Sequence, residues 1–276
     1  MLKKLLKYDF KAVFRYWWIA ALSSVALAFA GGWSISVFTN EKELPTVIYV
    51  LAILVAIIAI LGLVAFSILT VIFVYSRFYK NFFTDEGYLT FTLPVKRSQL
   101  LNSKLITSIV IGSLTGFVII VDVIIALCVG MPDVLLNAEL IRSFTDEVVL
   151  VVIRETGFYL VIYAIEAILL ALTMGIFTTL FVFCCITIGS IIAKKAKIIT
   201  AIAIYYVANS VFTFVIQIFV LFGIDAVIGW LGSVQESQFC LVLALIMLCG
   251  ILFMGAVCTV LYSLQYWMLD RKLNLA

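Results

Sequence analysis

The chain has 276 residues, of which 66% are apolar and 12% charged, and no histidine; soluble domains average about 45–50% apolar and about 25% charged. Without histidine it has no Ser/His or Cys/His nucleophile pair and no histidine metal ligand, which excludes the common hydrolases and zinc enzymes. The 18 basic and 15 acidic residues leave six long gaps, 16–40, 44–76, 105–132, 156–193, 198–224 and 237–269, broken only by Asp122 and Glu166. About 20 apolar residues cross a bilayer as a helix, and backbone polar groups in lipid must be satisfied internally, so each gap predicts one spanning helix. The predicted fold is all-α, a polytopic membrane protein with six transmembrane helices. The basic residues are dispersed and no nucleic-acid module accompanies them, so the net charge of +3 points to membrane lipid and not to nucleic acid. The six cysteines lie in apolar stretches without C-x-x-C spacing and read as small buried hydrophobes, and nothing in the spacing supports a bridge such as Cys128 to Cys240.

In chain order, residues 1–16 have a helical period, with Leu2, Leu5, Leu6, Phe10, Val13 and Phe14 on one face and Lys3, Lys4, Lys7, Lys11 and Arg15 on the other. This predicts an N-terminal interfacial amphipathic helix, read both as a topology anchor and as an elbow bracing the bundle. The first span follows. Ala28-Phe29-Ala30 resembles a signal-peptidase site, but the apolar run continues through Trp33 and Phe38 to spanning length. An even number of spans puts both termini on one side, together with fifteen of the 18 lysines and arginines. The positive-inside rule therefore predicts cytoplasmic termini. The outer segments 39–45, 131–156 and 223–237 are short, and 140–153 is predicted as a short interfacial helix.

Between the second and third spans lies the main cytoplasmic segment, 77–104, with six aromatic rings at Phe78, Tyr79, Phe82, Phe83, Tyr88 and Phe91. So many rings predict a loop that packs, either on its own bundle or on a soluble partner. Thr84-Asp85-Glu86-Gly87 reads as a turn, Pro94 restricts the backbone before it, and Ser98 is a candidate cap for the next helix. The run Asp85 to Val95, DEGYLTFTLPV, followed by Gln99-Leu100-Leu101-Asn102-Ser103-Lys104, resembles the corresponding loop of type-2 ATP-binding cassette (ABC) exporter permeases of Gram-positive bacteria. The six spans, the amphipathic N-terminus and the predicted cytoplasmic termini match that family as well. The resemblance implies that the loop is a coupling element docking on an ATPase subunit, with docking or cap roles for Asp85, Glu86, Gly87, Tyr88, Leu93 and Pro94. Lys96 departs from the small polar residue expected at the start of the following helix.

The resemblance further implies that 1–276 is a single transmembrane permease domain working as a pair of permease subunits. The chain has no G-x-x-x-x-G-K-[ST]. It is therefore not expected to be an enzyme, and it holds no cofactor of its own, ATP and Mg being bound by the partner ATPase.

The later spans carry a few polar residues. Asp122 shares a heptad-spaced stripe with Ser108 and Thr115, and Glu166 shares one with Tyr159, Tyr163 and Thr173. Two stripes facing each other would form an internal clamp sharing a proton; the other reading is an acidic exit region for a cationic or amphipathic substrate. The fourth gap is about 57 Å long as a helix and must bend, tilt or project, with Gly157, Gly175 and Gly189 as candidate bends. In the fifth span Tyr206, Ser210, Thr213 and Gln217 fall at i, i+4, i+7 and i+11, with Asn209 adjoining. This line reads either as helix-to-helix hydrogen bonding or, as the resemblance favours, as the lining of a translocation path. Ser108, Gly112 and Gly116 form a small-residue face predicted to serve packing.

The expected function is that of an ABC exporter permease in a bacterial cell membrane, moving a hydrophobic or amphipathic compound, such as an antimicrobial peptide or drug, outward. The alternative is a non-transporting immunity or assembly factor that recruits a cytoplasmic partner through its aromatic loop.

Overall fold

A computed structural model describes residues 2–39, 44–84, 86–87, 92, 95–132, 137, 142–143, 145–146, 150–193, 196–232 and 236–271. The elements are α1 (Leu2–Thr39), α2 (Thr46–Phe83), α3 (Arg97–Gly130), α4 (Leu150–Thr156), α5 (Tyr159–Ile192), α6 (Lys197–Gly232) and α7 (Glu236–Arg271). All but α4 contain a segment long and apolar enough to cross a membrane, and no strand occurs among the described residues. The protein is an all-α polytopic membrane protein. At 1.5 Å per residue, a helix of 38 residues such as α1 spans about 57 Å, nearly twice the hydrocarbon thickness of about 30 Å.

The helices therefore outrun the charge-free gaps that located them. Residues 2–16 are helical as predicted, but they continue without a break into the first span. Much of the 77–104 segment is also helical: α2 extends to Phe83 because Phe78, Phe82 and Phe83, at i, i+4 and i+5, continue its apolar face and are buried. The connection shrinks to residues 84–96. Arg97 opens α3, with the Lys96 carbonyl accepting from the Gln99 and Leu100 amides at 2.9 and 3.3 Å, so Ser98 lies inside the helix and is not its cap. The outer segment expected at 223–237 is likewise mostly helix: no proline interrupts α6 before Gly232, and one glycine costs a helix only about 1 kcal/mol. Of the short helix predicted at 140–153, the structure describes a helix over Leu150–Thr156. The fourth gap does bend at Gly157, whose φ of +51° only glycine adopts readily, while Gly175 and Gly189 stay helical.

The chain forms two compact units, Met1–Phe78 with Asn102–Val152, and Tyr79–Leu101 with Ile153–Ala276. In the first, α2 runs antiparallel to α1, with ring contacts pairing Trp17 with Phe66, Tyr16 with Phe73 and Phe38 with Tyr49. α3 runs parallel to α1: a Cβ at Gly32 would sit 2.7 Å from Val129 Cβ, and one at Gly130 would sit 2.5 Å from Ile35 Cβ. Val13, Trp17, Ala21, Phe66, Val74 and Ile111 form its core. In the second unit α5 packs against both α6 and α7. Lipid is as apolar as a leucine core, so membrane helices associate through close packing and polar contacts. Accordingly Ser24, Ser34, Thr70, Ser103, Thr107, Ser108, Thr115 and Thr187 are buried, whereas Ile60, Leu61, Val64, Ile168 and Leu252 face outward. The Gly112 and Gly116 face does not pack: a Cβ at either meets nothing within 4 Å.

Candidate functional site

Three groups of polar residues were singled out from the sequence. The first is the turn after α2. The Gly87 amide donates to the Thr84 carbonyl at 2.7 Å, Glu86 and Gly87 being helical, and Thr84 Oγ1 donates back to Lys80 O at 2.6 Å. Glu86 is exposed and Gly87 buried. Asp85, Tyr88, Leu93 and Pro94 lie outside the described residues. The same unit contains Arg97, whose guanidinium reaches Asp270 at 3.0 Å and the Leu269 and Asp270 carbonyls at 3.0 and 2.7 Å, tying the start of α3 to the end of α7.

The second group is the intramembrane acids. In the first unit the predicted stripe is real: Ser108, Thr115 and Asp122 are all buried. Thr115 accepts from Trp17 Nε1 at 2.8 Å and has one hydroxyl proton to place, on Ile111 O at 2.8 Å or Thr70 Oγ1 at 3.3 Å. Asp122 is fully buried, and among the described residues neither carboxyl oxygen has a donor in good hydrogen-bond geometry; Ser24 lies beside it but directs its proton to Ala21 O at 2.9 Å. In the second unit Glu166 is buried, its Oε2 unpartnered among the described residues, one turn from Tyr163, which donates to Cys240 O at 2.7 Å and lies tilted beside the Tyr159 ring. Asp122 belongs to the first unit and Glu166 to the second. Buried, unpaired ionisable groups within spans are functional candidates.

The third group is the line on α6. Asn209, Ser210, Thr213 and Gln217 are all exposed, as is Tyr206. Every residue from 209 to 218 is exposed, with Phe212 meeting α5 through its ring. Contact with α5 is concentrated near the start of α6, where Gly189 meets Ala201 and Phe181 meets Tyr205, with Phe177 to Phe212 beyond.

Sequence reasoning missed two buried polar clusters. Asp9 accepts from Ser103 Oγ at 2.9 Å and forms an ion pair with Lys104, both side chains almost fully buried. The signal was present: Asp9 lies four residues after Leu5 and four before Val13, on the apolar face. Gln265, fully buried on α7, donates to Thr187 Oγ1 at 2.7 Å, and Thr187 donates to Phe183 O. All six cysteines are free. Among the described residues no three His, Cys, Asp or Glu side chains gather as metal ligands.

These features define a multi-pass helical membrane protein with buried acids and an exposed polar line on α6. A scan against protein-family models, a search of the curated proteins and a search of the solved structures each returned no match.

Proposed function

We propose that the chain is the permease subunit of an ABC exporter in a bacterial cell membrane, with cytoplasmic termini, working as a pair and driven by a separate ATPase that binds ATP and Mg. The observation that carries the reading is the line Asn209, Ser210, Thr213 and Gln217 on a stretch of α6 whose residues are all exposed among the described residues. An amide facing hydrocarbon is costly, whereas one facing a second subunit or a hydrated path is satisfied. A hydrophobic or amphipathic substrate would move along this line. The resemblance of Asp85–Val95 to a coupling loop supplies the class, and the hydrogen-bonded turn at Thr84–Gly87 supports a shaped docking element there.

Co-purification tests the reading. The tagged chain should bring down an ABC ATPase, and Glu86→Ala or Tyr88→Ala should lower its stimulation of ATP hydrolysis severalfold without reducing the amount of permease. A chain that binds no ATPase refutes the exporter assignment and favours an immunity or assembly factor.

A further inference from the structure

At the end of the first unit that carries the N-terminus, α1, α2 and α3 enclose a pocket lined by Asp9, Val13, Val74, Arg77, Lys104, Thr107 and Ser108, with an empty volume of about 220 Å³ including its mouth. Within the pocket there is room for about one water-sized group. The pocket charges do not balance internally. Asp9 is committed to Lys104 and Ser103. The Thr107 and Ser108 hydroxyls donate along their own helix, to Ser103 O at 2.8 Å and Lys104 O at 2.7 Å. Arg77 Nε is buried and has no acceptor among the described residues. Among the described residues, one guanidinium charge with a buried donor is therefore left uncompensated on the pocket lining.

The depth of the pocket suggests what supplies the missing acceptor. Arg77 is the first charged residue after the apolar stretch of α2, and Lys104 is the last before that of α3, which places them where hydrocarbon gives way to headgroups. Lys3, Lys4, Lys7 and Lys11 are exposed on the same stretch of α1 as Asp9 and raise the local positive potential. We propose that this pocket binds a phosphate-bearing anion, an oxygen of which enters to accept from Arg77, and that anionic phospholipid headgroups are its source. A planar guanidinium is suited to such a group because it offers a fixed fork of donors. The assignment does not depend on what the protein transports.

The test uses the full chain in nanodiscs of phosphatidylcholine alone, of phosphatidylcholine with phosphatidylglycerol, and of phosphatidylcholine with added inorganic phosphate. Bound phosphatidylglycerol is followed by native mass spectrometry and the unfolding temperature by a thermal scan. Phosphatidylglycerol should be retained and should raise the unfolding temperature, and Arg77→Gln should weaken its binding roughly tenfold, as loss of a charge-assisted hydrogen bond implies. Arg77→Lys keeps the charge but loses the fork and should also bind more weakly, which covers the case of a poorly folding Arg77→Gln. Lys80→Gln removes an exposed charge one turn further along α2 and should bind as the wild type. An Arg77-dependent stabilisation by inorganic phosphate would support the site and assign it to a free anion. Wild-type binding in both Arg77 variants, an equal loss in Lys80→Gln, or no stabilisation by either phosphate source would overturn the proposal.

Discussion

Asp9 and Lys104 illustrate the chemistry this protein relies on where helices meet. Each is 5% exposed, and together they join the N-terminal turns of α1 to α3. Removing one partner of a buried ion pair leaves an uncompensated charge and typically costs about 3–5 kcal/mol, whereas replacing both with apolar residues of similar size is often neutral. Asp9→Asn and Lys104→Met should therefore each lower the unfolding temperature sharply, and Asp9→Leu with Lys104→Met should recover most of the loss. Thermal unfolding of the three variants in one detergent checks this. Losses that simply add would show that the two groups act independently. Trp17 with Thr115, and Gln265 with Thr187, follow the same logic without charge: each pairs a long side chain on one helix with a hydroxyl on another.

At the level of helices, close approach is decided by which small residue meets a backbone. A Cβ on Gly189 would lie 2.6 Å from both the nitrogen and Cα of Ala201, atoms that cannot rotate away, so α5 and α6 would have to separate. Gly189→Ala should destabilise the protein by about 1–3 kcal/mol, the usual cost of overpacking. Gly175→Ala, where a Cβ meets nothing within 4 Å, should be neutral or, given glycine's entropic cost of about 0.5–1 kcal/mol in a helix, slightly stabilising. Equal effects in a thermal scan would refute the contact. This contrast also marks what the sequence could convey. Charge-free gaps located the six spans, since lipid admits few alternatives to an apolar helix. They did not locate helix ends, because a helix continues through charged residues until a breaker or turn stops it, as α2 does through Arg77 and Lys80. The Ser108, Gly112 and Gly116 spacing showed where a helix can be approached, not that one approaches, and the two glycines face outward. Heptad spacing did put Ser108, Thr115 and Asp122 on one buried face, because parallel helices in contact impose that period.

For the molecule as a whole, the exposed stretch of α6 is the feature a single chain leaves unresolved. From 209 to 218 every residue is exposed, although two of them are amides and two are hydroxyls. If these groups only joined helices of neighbouring subunits, interhelical polar contacts averaging about 0.6 kcal/mol would make their loss mild. Asn209→Leu with Gln217→Leu would then weaken pairing by less than about tenfold, since tenfold corresponds to about 1.4 kcal/mol, and would leave export by the assembled protein unchanged. If instead they line a hydrated path, replacing both amides with leucine makes the path apolar at two levels two to three turns apart. On that reading the double variant should pair normally and bind its ATPase, yet lose most of its export, because the contacts that carry substrate are gone while those that assemble the protein remain. Cross-linking for the pair, pull-down for the ATPase and efflux from loaded vesicles give the three readouts. Normal efflux with normal pairing would remove the line from the path, and mildly weakened pairing with efflux retained by the assembled protein would make it an assembly surface.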